Sequence, residues 1–147
     1  MAKNTVLISS AANIIEDRVA AGTITPGMLV ERDSSDQVQA HSTAGGIAEK
    51  LFAMEDFYQG NGLSTNYTTS SDRVPVLNAQ PGDIVYAIAD DTTGVAIAKG
   101  DFLESAGDGR LQQITATTTG AAEYPNSVIG VALESAINGS RFLVKII

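Results

Sequence analysis

The sequence predicts an all-β fold: a small β-barrel or sandwich built from two related strand–turn–strand modules, with an extended N-terminal arm. Three observations predict it. The chain contains a partial copy of itself. Thr23-Ile24-Thr25-Pro26-Gly27-Met28-Leu29-Val30-Glu31 is matched by Ala96-Ile97-Ala98-Lys99-Gly100-Asp101-Phe102-Leu103-Glu104. Ile24 pairs with Ile97, Gly27 with Gly100, Glu31 with Glu104 and Gln39 with Gln112, all at one separation. A glycine opening an apolar run, then a polar turn and a second run, is the pattern of two strands joined by a turn. Next, the chain holds 14 glycines, and its turns recur at the spacing of sandwiches and barrels. Last, Ile84-Val85-Tyr86-Ala87-Ile88-Ala89 is apolar throughout, which predicts a strand buried on both faces at the centre of the core.

The elements follow in order. Residues 1–13 read as an extended arm, with strand propensity at Val6-Leu7-Ile8 between small and polar neighbours. Two roles fit it: an edge strand of the domain, or an arm that adds a strand to a neighbouring molecule. Residues 14–147 read as one β domain, with the repeat spanning 23–55 and 96–134. Ile14–Ala20 fits a short strand or one helical turn. Pro26-Gly27 starts the first repeated strand and Asp33–Asp36 makes its turn. Ala48–Glu55 has helical propensity. Its counterpart, Val128–Glu134, is rich in β-branched residues, so a strand is predicted at both places. The second copy is longer, and the extra residues belong in the loop Thr117–Pro125. Residues 56–73 form a long polar excursion, of the kind that often carries function. Pro75 suits Arg73–Leu77 to a sheet edge. Phe142, Val144 and Ile146 share one face of the final strand. Alternation fails in the repeated strands, where Leu29 shares a face with Glu31 and Phe102 with Glu104. Either those faces are only partly buried, or they meet another subunit.

Composition narrows the function. With 147 residues and 44% hydrophobic content, the chain is long and apolar enough for one packed domain. Its formal net charge of −8 opposes the phosphate contacts of a nucleic-acid binder and disfavours anionic membrane surfaces. There is no Cys, which excludes disulfides and thiolate metal sites. No apolar run reaches the roughly 18 residues of a membrane span. Val6-Leu7-Ile8 falls short of the roughly 7-residue core of a secretion signal, so the expectation is a protein made and kept in the cytosol, or assembled there.

No catalytic, cofactor-binding or metal-ligating residues are assigned. His41 is the only His, in a Ser/Thr/Gly loop, and reads as a solvated side chain. No Gly-x-Ser-x-Gly elbow accompanies it. The acidic turns Asp33–Asp36, Asp90-Asp91 and Asp108-Gly109 lack the ligand run and closing Glu of an EF-hand loop, and Asp and Gly are what turns require. Glu31/Glu104 and Glu55/Glu134 recur through the duplication, which gives them a structural reading. A glycosidase would also want aromatic platforms, and the chain has no Trp and 5% aromatic residues. Lys99-Gly100 lacks phosphate-loop spacing.

The order of motifs resembles a known family. Gly22-Thr23-Ile24, Pro26-Gly27, Leu29-Val30-Glu31, His41–Gly46, Leu51–Asp56, Gln59-Gly60, Asp72-Arg73-Val74, Pro81-Gly82-Asp83, Ala98–Asp101, Leu103-Glu104-Ser105, Gly107-Asp108-Gly109 and Gly130–Glu134 look like those of the head decoration, or capsid cement, proteins of tailed bacteriophages. The likeness spans residues 20 to 135. The resemblance implies a compact, non-enzymatic β-fold on the outer surface of the phage head. It would bind the major capsid protein and stabilise contacts between coat subunits, as a homotrimer by leading expectation. Val6, Leu7 and Ile8 are the expected capsid contacts. Two other readings stay open: a tail or baseplate β-domain, and a small β-barrel module that binds carbohydrate or peptide.

Overall fold

The structure, a computed structural model, describes residues 2–10, 12, 14–68, 72–90, 92, 96–114 and 126–147. The described residues form strands and turns with no helix. The strands are β1 (Leu7–Ser9), β2 (Ile15–Val19), β3 (Leu29–Arg32), β4 (Val38–Ala40), β5 (Leu51–Ala53) and β6 (Arg73–Asn78). They continue with β7 (Ile84–Ile88), β8 (Ala96–Ile97), β9 (Phe102–Ser105), β10 (Leu111–Gln113), β11 (Gly130–Ala132), β12 (Ala136–Ile137) and β13 (Arg141–Ile146).

Each copy opens on a turn that glycine completes. The N–H of Met28 donates to the carbonyl of Thr25 (3.0 Å), and that of Asp101 to Ala98 (3.1 Å). The third residues, Gly27 and Gly100, sit at φ 96° and 95°. A positive φ at that position, with Pro26 before it in the first copy, is the pattern of a type II turn. The hairpins that follow have one register. Val30, Glu31 and Arg32 face Ala40, Gln39 and Val38; Leu103, Glu104 and Ser105 face Gln113, Gln112 and Leu111. β5 then pairs with β3 as β11 pairs with β9, Leu29 against Phe52 and Phe102 against Val131. Strand pairing, not helical propensity, governs residues 51–53.

The duplication runs well beyond the two copies that the sequence displays. One sheet has the order β2-β6-β5-β3-β4; the other runs β1-β7-β13-β11-β9-β10. Without β1 the orders are identical under the pairing β2/β7, β6/β13, β5/β11, β3/β9 and β4/β10. Bridges outside the sheets repeat as well. Ala20 meets Val38 in parallel and Ala89 meets Leu111; Ile24 meets Tyr67 and, in the β8–β12 pair, Ile97 meets Ala136. The molecule is therefore two homologous halves, residues 15–78 and 84–146. Ile84–Ile88 does not stand between the repeats as their shared centre: it is the first strand of the second half.

Each sheet curls around its own apolar interior. In the first half Ile24, Val30, Leu51, Val74 and Val76 form a separate cluster. In the second half the counterparts Ile97, Leu103, Phe142 and Val144 join a larger cluster, which also takes in Leu29, Phe52 and Leu77 from the first half. The single parallel bridge that draws each sheet's ends together is not a ladder, so the architecture is the sandwich alternative and not a closed barrel. The halves pack head to tail. The first half's Leu29, Phe52 and Leu77 are fully buried against the second. Their counterparts Phe102, Val131 and Lys145 lie at the surface, with Phe102 38% exposed and Lys145 exposed.

The mixed faces of the repeated strands have a simple cause. Gln39 donates across the hairpin to Glu31 (2.8 Å), and Gln112 donates to Glu104 (3.0 Å). A charge on a half-buried face is tolerated when it is hydrogen-bonded. Burial raises the Glu31 pKa, but hydrogen bonds from Ser42 and Gln39 and the nearby His41 outweigh it and hold the carboxyl below its ordinary value.

Candidate interaction surface

The N-terminal segment is part of the domain. The Val6 side chain is fully buried in the main core, and Leu7 and Ser9 face Val85 and Ile84 across a bulged antiparallel pair. Glu55, only 8% exposed, fixes this strand from the opposite half: it accepts the N–H of Val6 (2.9 Å) and the hydroxyl of Thr5. Of the two roles that fit the extended segment, an edge strand of the domain or a strand added to a neighbouring molecule, residues 7–9 take the first. A single inward apolar side chain with a matching socket docks it, despite the low apolar density around it. Of the three expected contact residues, Val6 faces inward, whereas Leu7 and Ile8 are half-buried on the strand.

His41 is a second correction. It is 3% exposed, not solvated. Its Nδ1 lies 2.7 Å from Ser105 Oγ, and its Nε2 lies 3.6 Å from Glu31 Oε2. Serine, histidine and carboxylate are thus in line, as in a hydrolase triad. Ser105, however, is fully buried and also accepts the N–H of Gly107 (3.1 Å), so no substrate carbonyl reaches its oxygen. The trio staples the halves together. Around it, Leu29 donates to the carbonyl of Gly109 (2.8 Å), Gly109 to that of His41 (3.1 Å), and Gly45 to that of Ser105 (2.8 Å). Of the other carboxylates singled out in the sequence, Asp33, Asp108 and Glu134 are turn and strand caps. Asp33 accepts the N–H groups of Ser35 and Gln37, Asp108 accepts that of Arg110, and Glu134 accepts that of Leu143.

The open surface feature lies on the 56–73 excursion. A cleft of about 400 Å³ is lined by Asp17 of β2, Asp56, Tyr58, Asp72, Arg73 and Pro75, among others. Its floor is fixed by a backbone substitution. Pro75 has no N–H to give to β5, and the carbonyl of Met54 instead accepts the Tyr67 hydroxyl (2.7 Å), while Met54 N–H donates to Pro75 (2.8 Å). Burial pushes the Tyr67 phenol well up, so it stays a donor. Asp72 accepts the N–H (2.7 Å) and hydroxyl (3.0 Å) of Thr68, which hold its carboxyl below the ordinary value. Three carboxylates against one guanidinium make the cleft acidic. At its rim Phe57 and Tyr58 stack with centroids 4.4 Å apart and remain 44% and 70% exposed. The sequence marked this stretch by its length alone; Asp17, brought in from β2, carried no local signal. The loop Thr117–Pro125 lies outside the described residues.

No family model matches the chain, and no curated protein matches it. Among solved structures, the fold is similar to the crystal structure of the head fiber gp8.5 N base in bacteriophage phi29. That likeness covers 92% of this chain and 95% of the other, with a TM-score of 0.61 at 16% identity. At that identity it is the fold that is shared.

Proposed function

We propose that this protein is a structural component of a phage head, a decoration or cement protein bound to the outer surface of the shell. The observation that carries the reading is the end-to-end fold likeness to a head fiber base. The order of motifs that resembles cement proteins, found without reference to the fold, supports it from the sequence. In this reading the partner is the major capsid protein, the work is mechanical, and no reaction is performed.

In this reading the head-to-tail packing also serves self-association. The first half covers the second with Leu29, Phe52 and Leu77. The second half offers the equivalent positions, Phe102, Val131 and Lys145, at the surface. A head-to-tail contact that repeats between molecules closes into a ring or runs on as a fibre. A closed homotrimer is the assembly we propose. Leu7 and Ile8 remain the proposed shell contacts of the N-terminal strand.

Binding only the assembled shell stabilises that state by RT ln(1 + [L]/Kd), about 2.7 kcal/mol per site at a hundredfold excess over Kd. Many weak sites then add to a large effect. The test mixes the purified protein with undecorated expanded shells. Stoichiometric decoration by electron microscopy, with a raised rupture temperature, is the expected result. Full occupancy without added resistance to heat or osmotic shock defeats the cement reading; no decoration defeats the head reading.

A further inference from the structure

Each sheet strand of the first half has a counterpart in the second, and β1 is the strand without one. It lies on the outer edge of β7, whose counterpart is β2. The outer edge of β2 is therefore in the condition β7 would have if β1 were removed. The ladder fixes which groups it presents. The N–H of Asn78 donates to the carbonyl of Ile14 (2.8 Å), and that of Ala20 to Asp72 (2.9 Å). In an antiparallel pair bonding alternates along the strand, so Glu16 and Arg18 bond β6 while Ile15, Asp17 and Val19 turn their N–H and C=O outward. The second half confirms the phase: Tyr86, the counterpart of Asp17, donates its N–H to the carbonyl of Val6, the residue just before β1 (2.7 Å). Among the described residues, no strand lies beside the outward groups of Ile15 and Asp17, while the parallel bridge between Ala20 and Val38 brings β4 against the Val19 end of the edge.

Charge says what fits there. On one face of β2 lies the cleft, where Asp17, Asp56 and Asp72 outnumber Arg73. On the other face Glu16, Asp36 and Glu49 outnumber Arg18 and Arg32. A strand laid on this edge sends alternate side chains to the two faces, and both are net negative. A second copy of β2 is a poorer occupant: antiparallel self-pairing centred on Asp17 sets Asp17 opposite Asp17, and the Glu16–Arg18 pairs it would form across the contact already exist within each chain.

We propose that β2 is a docking edge on which an extended, lysine- or arginine-bearing segment of a partner protein adds as an antiparallel strand, as β1 does on β7. Main-chain bonds supply the grip and side-chain charge the selectivity. The proposal is independent of the phage-head reading: it fixes an edge and the chemistry of its occupant, whatever supplies that segment.

The probe is a blocked eight-residue peptide of alternating lysine and valine, added to the full-length protein, with amide exchange followed residue by residue. Exchange at Ile15 and Asp17 should slow at least tenfold, and the same peptide with glutamate for lysine should leave it unchanged. Asp17→Pro removes one outward N–H and no bond to β6, since Asp17 stands opposite Pro75; it should weaken peptide binding at least tenfold. If that variant fails to fold, Asp17→Lys keeps the N–H, reverses the charge and should weaken binding likewise. No protection at saturating peptide, protection on Ile84–Tyr86 or another edge instead, equal binding of the two peptides, or undiminished binding by the folded variants each overturns the proposal.

Discussion

The two halves share strand order and register, yet they close their seams by opposite chemistry. In the second half β1 fills the seam, and Val85 and Ala87, beneath it, are fully buried with Val6. In the first half the matching positions are Glu16 and Arg18. Glu16 accepts from Arg18 (2.8 Å) and from Arg32 (3.1 Å), and Arg18 reaches on to Asp36. A seam under a strand selects apolar side chains, because an unpaired charge there would be desolvated. A seam open to water keeps its charges in pairs. One backbone plan thus carries two surfaces, and residue identity at the seam records whether a strand covers it.

The sharpest way to break this comparison is to remove the strand. Deleting residues 1–9 exposes Val85 and Ala87, and it strips Glu55 of the donors Thr5 and Val6. Val6 burial contributes about 1.5–3 kcal/mol, and a buried acceptor left unpaired costs about 1–3. Urea unfolding should show a loss of about 4 kcal/mol. A loss below about 1 kcal/mol would mean that β1 is an accessory after all and that the seam closes without it.

Next comes the packing asymmetry. Phe52→Ala cuts into the contact between halves and should cost about 3–5 kcal/mol. Its counterpart change, Val131→Ala, falls on a half-exposed position and should cost under about 1.5 kcal/mol. Similar losses would show that the second half's outer face is buried in solution, as in the proposed trimer. Repeating the pair across a range of protein concentrations separates that case, since only an assembly makes stability depend on concentration.

The turn glycines isolate a smaller effect. Gly27 and Gly100 have nearly the same φ, but a Cβ on Gly27 would lie 2.9 Å from the carbonyl oxygen of Tyr86, whereas one on Gly100 meets nothing within 4 Å. Gly100→Ala reports backbone strain alone, about 1–2 kcal/mol. Gly27→Ala adds a clash with backbone and should cost about 1–3 kcal/mol more. Equal losses, measured by thermal unfolding, would show that the halves part to make room.

What the sequence displays and what it conceals divide along the same line. Gly27/Gly100 and Glu31-Gln39/Glu104-Gln112 were legible because the turn and the cross-strand pair do the same work in both halves. β2/β7 and β6/β13 were not: Glu16-Asp17-Arg18 and Val85-Tyr86-Ala87 face water in one case and a strand in the other, so identity survives only at scattered positions such as Ile15/Ile84, Arg73/Arg141 and Val76/Val144. His41 read as a loop residue because its partner, Ser105, comes from the other half. Val6 read as arm because one buried side chain leaves no periodicity. The cleft drew attention by loop length, but its acidity depends on Asp17, which the chain's topology, not local sequence, delivers.

The ion cluster itself gives the smallest and most specific prediction. The hydrogen bond from Arg18 dominates the environment of the Glu16 carboxyl, burial opposes it, and Arg32 adds attraction; the pKa lies below the ordinary 4.5. A carboxyl depressed in the folded state stabilises that state above its unfolded pKa, and the contribution drains away as pH falls below about 4.5 through the folded value. Because the cluster sits at the surface, water and salt screen it, and its worth is under about 1 kcal/mol. Glu16→Gln should therefore lower stability slightly at pH 7 and flatten the acid limb between neutral pH and pH 3. In half-molar salt the difference from the parent protein should nearly vanish, since the screening length there is shorter than at physiological strength. Glu16→Val copies the counterpart Val85 without supplying a covering strand, so it should destabilise more than Glu16→Gln at every pH. If instead Glu16→Val matches or exceeds the parent, the first half's seam is already sheltered, and the contrast between an open seam and a covered one fails at its root.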